Sequence, residues 1–425
     1  MSSSLSRKLV WSLIAAAFIG PGTVTTAANF GSRTGTERWW YVLVAAAVGF
    51  LLMEMTARVT MVSGRSLGNI LRARYRWLAV LLFVLVSLGC LAFEAGNLLG
   101  AFGGLDLLLP GLPRATVAVL GLLAAALLWR GNTQLIGRVL GAVVLLMGVV
   151  FVSAAALALS AGELPRVTTE SDFLGGMIGL LGTTVVPYNF FLAAGLGRGQ
   201  QLGDMRWGLA VSFGLGALIT LAILVVGAAG GAFTSFPDLA RTLGASLGPW
   251  SRLALGLGLL AAGLSSAITA PLAAALAARE LLATPEQTDW APTGRYFRAV
   301  WLTVLLAGVG VASFRLDVVQ VILAAQIGNG LLLPLIAAVV VLLANRSDLL
   351  GARINSWWTN AVAFAALLFL ALSTVYLFLD KFLPTDDPLL ADDQREVGHL
   401  FAVLFLGVLI YRVYVQRRGG GVPPE

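Results

Sequence analysis

The sequence predicts an all-α protein that crosses a membrane about twelve times and is built from two five-segment halves with two further segments at the C-terminal end. Three observations lead there. Of 425 residues, 58% are hydrophobic and 12% charged, about half the charged share of an ordinary soluble domain, and mean hydropathy is +0.89. Apolar runs of about 20 residues, each enough to span a bilayer, follow one another with short connections. The first and sixth runs are broken at corresponding places, by Gly20-Pro21-Gly22-Thr23 and by Val185-Val186-Pro187-Tyr188-Asn189. Matching breaks in two halves mark an inverted-repeat transporter with its site near the midplane.

Segment 1 (about 9–32) follows Arg7 and Lys8 and continues past its break without a cleavage site, so it reads as a span rather than a signal peptide. Segment 2 (about 39–62) opens on Trp39, Trp40 and Tyr41, an interfacial belt. Arg65, Arg72, Arg74 and Arg76 then mark a cytoplasmic loop. Segments 3 (77–102), 4 (113–128) and 5 (134–161) close the first half. Segments 6 (172–197), 7 (206–233), 8 (249–282), 9 (296–313) and 10 (317–344) form the second. Segments 11 (358–379) and 12 (397–414) lie outside the repeat. Residues 1–416 thus read as one transmembrane domain, and 417–425, rich in glycine and proline, as a disordered tail. With both termini cytoplasmic, about 18 Arg and Lys lie inside against about 9 outside. The expected location is a bacterial-type inner, or plasma, membrane.

Composition excludes several classes. The net charge of +7 reads as topology signal, not as a nucleic-acid surface. Cys90 is the sole cysteine, which removes disulfides, zinc clusters and redox pairs within the chain. Neither Lys8 nor Lys381 lies in a phosphate-binding loop. No catalytic constellation assembles around the sole histidine, His399, so the chain is not read as an enzyme.

Proline lacks an N–H and glycine loses most entropy on becoming helical, so each break frees backbone groups. At bilayer depth such groups need protein, water or a ligand. The alternative for each break is a simple kink. Together they frame a candidate substrate site of Gly20, Gly22, Thr23, Thr25, Thr26, Thr183, Val186, Tyr188 and Asn189, with Asn29 one turn on. Glu54 stands four residues before Arg58, the favourable order for a helical ion pair. Glu94, an acid at helix depth, is expensive there and marks an ion path or a partner.

GPGT in segment 1, TTVVPYNFFL in segment 6 and GLLAAGLSSAITAPLAA in segment 8 together resemble the Nramp metal-ion transporters. ARVTMVSGRSLG, LAFEAGNLLGA and AAQIGNGLLLPLIAAVVVLLANRSDLLG agree in order and spacing. The resemblance implies a LeuT-like fold of the amino-acid/polyamine/organocation superfamily, rocking about unwound segments 1 and 6. Gly20 and Thr23 replace the acid and amide of the family's Asp-Pro-Gly-Asn, and Val186 and Tyr188 its Met-Pro-His. Glu94 takes the place of an aspartate used in proton movement, and Asn97 that of a neighbouring glutamate. Gln326 matches a substrate-facing glutamine, with Asn329 near it.

With these ligands replaced, the site reads as one for a small anion, bicarbonate or a small carboxylate, held by helix N-termini and hydroxyls. Sodium is the expected coupling ion, on Ser265, Ser266 and Thr269 with the carbonyls near Phe18 and Ile19 and with Glu94 as a further coupling residue. No other cofactor or protein partner is expected. Two alternatives remain open: a carrier of Mg²⁺ or Mn²⁺, proton-coupled or uncoupled, and a receptor that keeps the fold without transport. For threonines and serines within helices the competing reading is a bond to the helix's own carbonyls.

Overall fold

The computed structural model describes residues 19–130, 134–162, 173–191, 201–284, 287–383 and 388–418. It is all-α, in the order α1 (Pro21–Thr34), α2 (Trp40–Ser63), α3 (Leu67–Arg74), α4 (Arg76–Leu108), α5 (Thr116–Arg130), α6 (Gln134–Ser160), α7 (Phe173–Thr184) and α8 (Leu202–Gly230). It continues with α9 (Phe236–Leu247), α10 (Trp250–Leu282), α11 (Arg295–Ser313), α12 (Val318–Ala344), α13 (Ser347–Leu350), α14 (Trp357–Phe382) and α15 (Pro388–Arg418). Among the described residues, 10 helices are long and apolar enough to cross a membrane, and α5 is a shorter apolar helix. The Gly131-Asn132 turn lies outside the described residues, as do 1–18, which hold most of the first half of segment 1.

Lipid tails are as apolar as leucine, so helices in a bilayer associate through close packing at small residues. Three pairs meet in this way. A β-carbon on Gly31 would lie 2.0 Å from Leu224 C=O and one on Gly227 2.3 Å from Ala28 C=O, so α1 and α8 touch backbone to backbone. On α7, Gly182 would clash at 1.9 Å with Gln326 C=O of α12. Between α4 and α10, Gly104 would meet Gly256 C=O and Gly263 would meet Asn97 C=O, each at 2.6 Å.

Three short helices outside the spans, α3, α9 and α13, were not foreseen. α3 is capped by Ser66, whose hydroxyl accepts from Asn69 N–H at 3.3 Å. α9 bridges α8 and α10. Burial raises the Asp238 carboxyl, but bonds from Thr234, Ser235 and Arg241 outweigh it and hold the group well below the usual carboxylate range. The segment 2 ion pair forms as expected, with Arg58 Nε 3.2 Å from Glu54, and Arg206 of α8 joins the same carboxylate at 2.8 Å.

Candidate functional site

Gly20 is the extended residue before α1 (φ −97°, ψ 176°), and Pro21 opens the helix. Thr23 N–H donates to Gly20 C=O at 3.1 Å and Val24 N–H to the same oxygen at 3.3 Å. Only Ile19 and Gly20 are irregular among the described residues of this break. The expected unwinding of all of Gly20-Pro21-Gly22-Thr23 is corrected here, because a proline at the first helical position is pre-organised for the helix instead of breaking it. At the second break α7 stops at Thr184, and the turn closes when Asn189 N–H donates to Val186 C=O at 3.0 Å.

The two broken ends touch. The hydroxyls of Thr23 and Thr183 lie 2.9 Å apart and both side chains are buried. Gln326 of α12 reaches across Gly22, where a β-carbon would stand 1.9 Å from Nε2. The approach therefore requires glycine. From α10, Ser266 Oγ lies 3.3 Å from the same point on Gly20. A cavity of about 20 Å³ lies beside Thr23 and Thr183, closed by Ile19, Thr184, Ser212, Phe213 and Thr220. That is about the space of one water-sized group.

Several buried polar atoms around this point find no partner among the described residues: Thr25 Oγ1, Thr26 Oγ1, Asn189 Nδ2 and Gln326 Oε1. Each unpaired group costs about 1–3 kcal/mol. Such orphans are few in native proteins, and these four belong to α1, the second break and α12, the elements that meet at Thr23, Thr183 and Gly22. Val186 is buried in the turn and offers only its backbone. Tyr188 is buried and packs edge-to-face on Phe93 of α4 at 5.8 Å, as part of a side wall.

The expected sodium trio is not assembled. Ser265 Oγ donates to Ala262 C=O at 3.0 Å and Thr269 Oγ1 to Ser265 C=O at 2.7 Å, both within α10. Both hydroxyls give their protons to the helix's own carbonyls, while Ser266 Oγ lies beside the break at Gly20. Ile19 lines the cavity, while Phe18 lies outside the described residues. Glu94 is fully buried, and neither carboxylate oxygen has a partner among the described residues. Its stem fills the space left by Gly308 of α11. Asn29 is buried, as are Asn97 and Asn329, whose amide nitrogens are also unpartnered among the described residues. The wall from α8 was missed. Ser212 and Thr220 share one face at positions i and i+8, with Gly216 between them, a spacing visible in the sequence.

The family model of the natural resistance-associated macrophage protein-like proteins, Nramp, matches residues 12–380. The chain belongs to this family. A divalent metal cation transporter MntH of Deinococcus radiodurans is 29% identical over 287 residues, which cover 60% of this chain and 65% of that one. A divalent metal cation transporter MntH of Staphylococcus aureus is 22% identical over 412 residues, 87% of this chain and 90% of its own. The Eremococcus coleocola manganese transporter in complex with an aromatic bis-isothiourea substituted compound superposes with a TM-score of 0.75 at 17% identity, over 98% of this chain and 95% of that one. MhsT in complex with L-phenylalanine gives 0.55 at 15% identity, over 95% of this chain and 98% of that one. The fold of this Nramp chain is therefore the LeuT-like one, in a multi-pass membrane protein.

These relatives overturn the expectation of a bicarbonate or carboxylate symporter driven by sodium. The geometry supplies the reason. An anion cradle at α1 needs free N–H groups, but Pro21 has none and Thr23 and Val24 already donate to Gly20 C=O. The Thr23 hydroxyl is engaged with Thr183. The absence of acids from the motif does not by itself make the site one for anions.

Proposed function

We propose that this chain carries a divalent metal cation across the membrane by alternating access, with the ion handled where α1 begins and α7 ends. The observation that carries the reading is the meeting of the Thr23 and Thr183 hydroxyl oxygens, 2.9 Å apart beside the small cavity where the two breaks touch, in a chain of this family. Among the described residues no group of three or more His, Cys, Asp or Glu side chains is placed to hold a metal. Hydroxyl, amide and carbonyl oxygens are hard donors, and without thioether or imidazole they favour a hard cation. Mg²⁺ keeps several of its own waters and is bound through few protein ligands, which suits such a site better than Mn²⁺. The basic loops support an orientation with both ends of the chain in the cytoplasm.

Uptake of Mg²⁺ and Mn²⁺ into proteoliposomes tests this. Both ions are expected to enter, Mg²⁺ at the lower KM, and Thr23→Val is expected to raise the KM for either. A protein that reconstitutes, keeps its thermal stability and moves neither ion would overturn the proposal.

A further inference from the structure

Away from the ion site, a cavity of about 610 Å³ opens where α2 ends and α8 and α14 begin. It shares no lining residue with the small cavity at the breaks. Its charge is one-sided. Arg58, Arg206 and Arg353 line it against Glu54 alone, a formal net charge of +2. Glu54 is already claimed twice, by Arg58 Nε at 3.2 Å and by Arg206 Nε at 2.9 Å. Arg58 also donates through Nη1 to Arg353 C=O and through Nη2 to Asn355 Oδ1. Arg206 keeps both Nε and Nη2 on the carboxylate, so its Nη1 is left for another acceptor. The Arg353 guanidinium is exposed, and no partner for it is found among the described residues. Behind the wall, Arg417 of α15 donates to Asn355 C=O and to Asn345 Oδ1, adding a further positive charge.

Two helix N-termini open on the same space. Leu202, the first residue of α8, lines it, and so does Ser356, the N-cap of α14. Helix starts carry partial positive charge and attract anions. Arginine forks match phosphate oxygens in pairs of bonds. The remaining wall includes Phe50, Leu51 and Ile354, which gives the cavity one apolar side. Basic pockets between membrane helices take phosphorylated headgroups, and the volume falls within the range of ordinary ligand sites.

We propose that this cavity binds a phosphate group, gripped by Arg353 and Arg206 over the starts of α8 and α14. The same chemistry comes from two sources, an anionic phospholipid headgroup or a soluble phosphate, and both reach the same guanidinium groups. The site goes beyond the transport reading, and its test reads binding instead of flux.

The full chain purified in detergent is titrated with inorganic phosphate by calorimetry. In parallel, retention of phosphatidylglycerol against phosphatidylcholine is read by native mass spectrometry. Saturable phosphate binding, or selective retention of phosphatidylglycerol, is expected to weaken about tenfold in Arg353→Gln, the scale of one lost charge-assisted bond. Arg353→Lys is expected to retain most of it. Arg353 is exposed, so its substitution leaves the fold intact, and an unchanged melting temperature checks this. Phosphate binding assigns a soluble ligand, and headgroup selectivity alone assigns the lipid. Absence of both, or binding that Arg353→Gln and Arg206→Gln leave unchanged, overturns the site.

Discussion

Thr23 and Thr183 lie 160 positions apart in sequence, and their hydroxyls meet at 2.9 Å with no room for bulk water. Valine has nearly the shape of threonine, so Thr23→Val and Thr183→Val each remove one hydroxyl of the pair, and Thr23→Val takes from Thr183 the partner it has at 2.9 Å. A stranded buried hydroxyl costs more than replacing both members of the pair. The double variant is therefore expected to be about 1 kcal/mol more stable than the sum of the two single losses, measured by denaturant unfolding in detergent. Strict additivity would mean that the two groups do not support each other. Both threonines were legible in the sequence because they flank the breaks, and Gln326 only through the family resemblance. Where the Ser265 and Thr269 hydroxyls donate was not legible, for a physical reason. Sequence gives the type of a hydroxyl but not its rotamer, and within a helix the carbonyl one turn back is always in reach. Ser212 and Thr220 were overlooked because nothing interrupts α8 at their level.

At the scale of elements, the inner cluster ties α2 to α8 through one carboxylate. The Glu54 side chain is 10% exposed and Arg58 5%, whereas Arg206 is 54% exposed. Removing the acid leaves a buried guanidinium uncompensated, which costs about 3 kcal/mol. Removing the exposed partner leaves Glu54 still paired, at a cost below about 1 kcal/mol. Glu54→Gln is accordingly expected to lower the melting temperature clearly and Arg206→Gln hardly at all, read by thermal unfolding in the same detergent. Equal shifts would show that Arg58 is held by Arg353 C=O and Asn355 instead of by its acid. The Glu54–Arg58 pair was legible from its spacing, while Arg206, 152 positions away, was not. Spans were legible because apolar length alone fixes them. The start of α1 was not, since Pro21 serves equally well as a breaker inside a helix and as a first residue, and only the backbone before it decides.

At the scale of the molecule, two vestibules of about 610 and 560 Å³ lie at opposite ends of α12, and neither shares a lining residue with the small cavity at the breaks. α1 with α8, α7 with α12, and α4 with α10 are locked backbone against backbone. Other contacts run through side chains that can slide: Pro21 against Gly100, and Ser266 against Gly20. Interfaces of the second kind are where packed bodies shift, because interlocked backbones move as units. α9 sits over the second vestibule, and its Phe236 ring fills the space beside Gly103 of α4, 2.5 Å from where a β-carbon would stand. Under the proposed alternating access, α9 is expected to leave α4 once in every cycle. A Gly103→Cys/Phe236→Cys pair in a Cys90→Ala background, joined by a short bis-methanethiosulfonate linker through two disulfides, is expected to abolish metal uptake into proteoliposomes, with reductant cleaving those disulfides and restoring it. The uncrosslinked pair reports any cost of the substitutions themselves. Undiminished uptake by the crosslinked protein would place the moving boundary elsewhere and leave α9 a fixed cover.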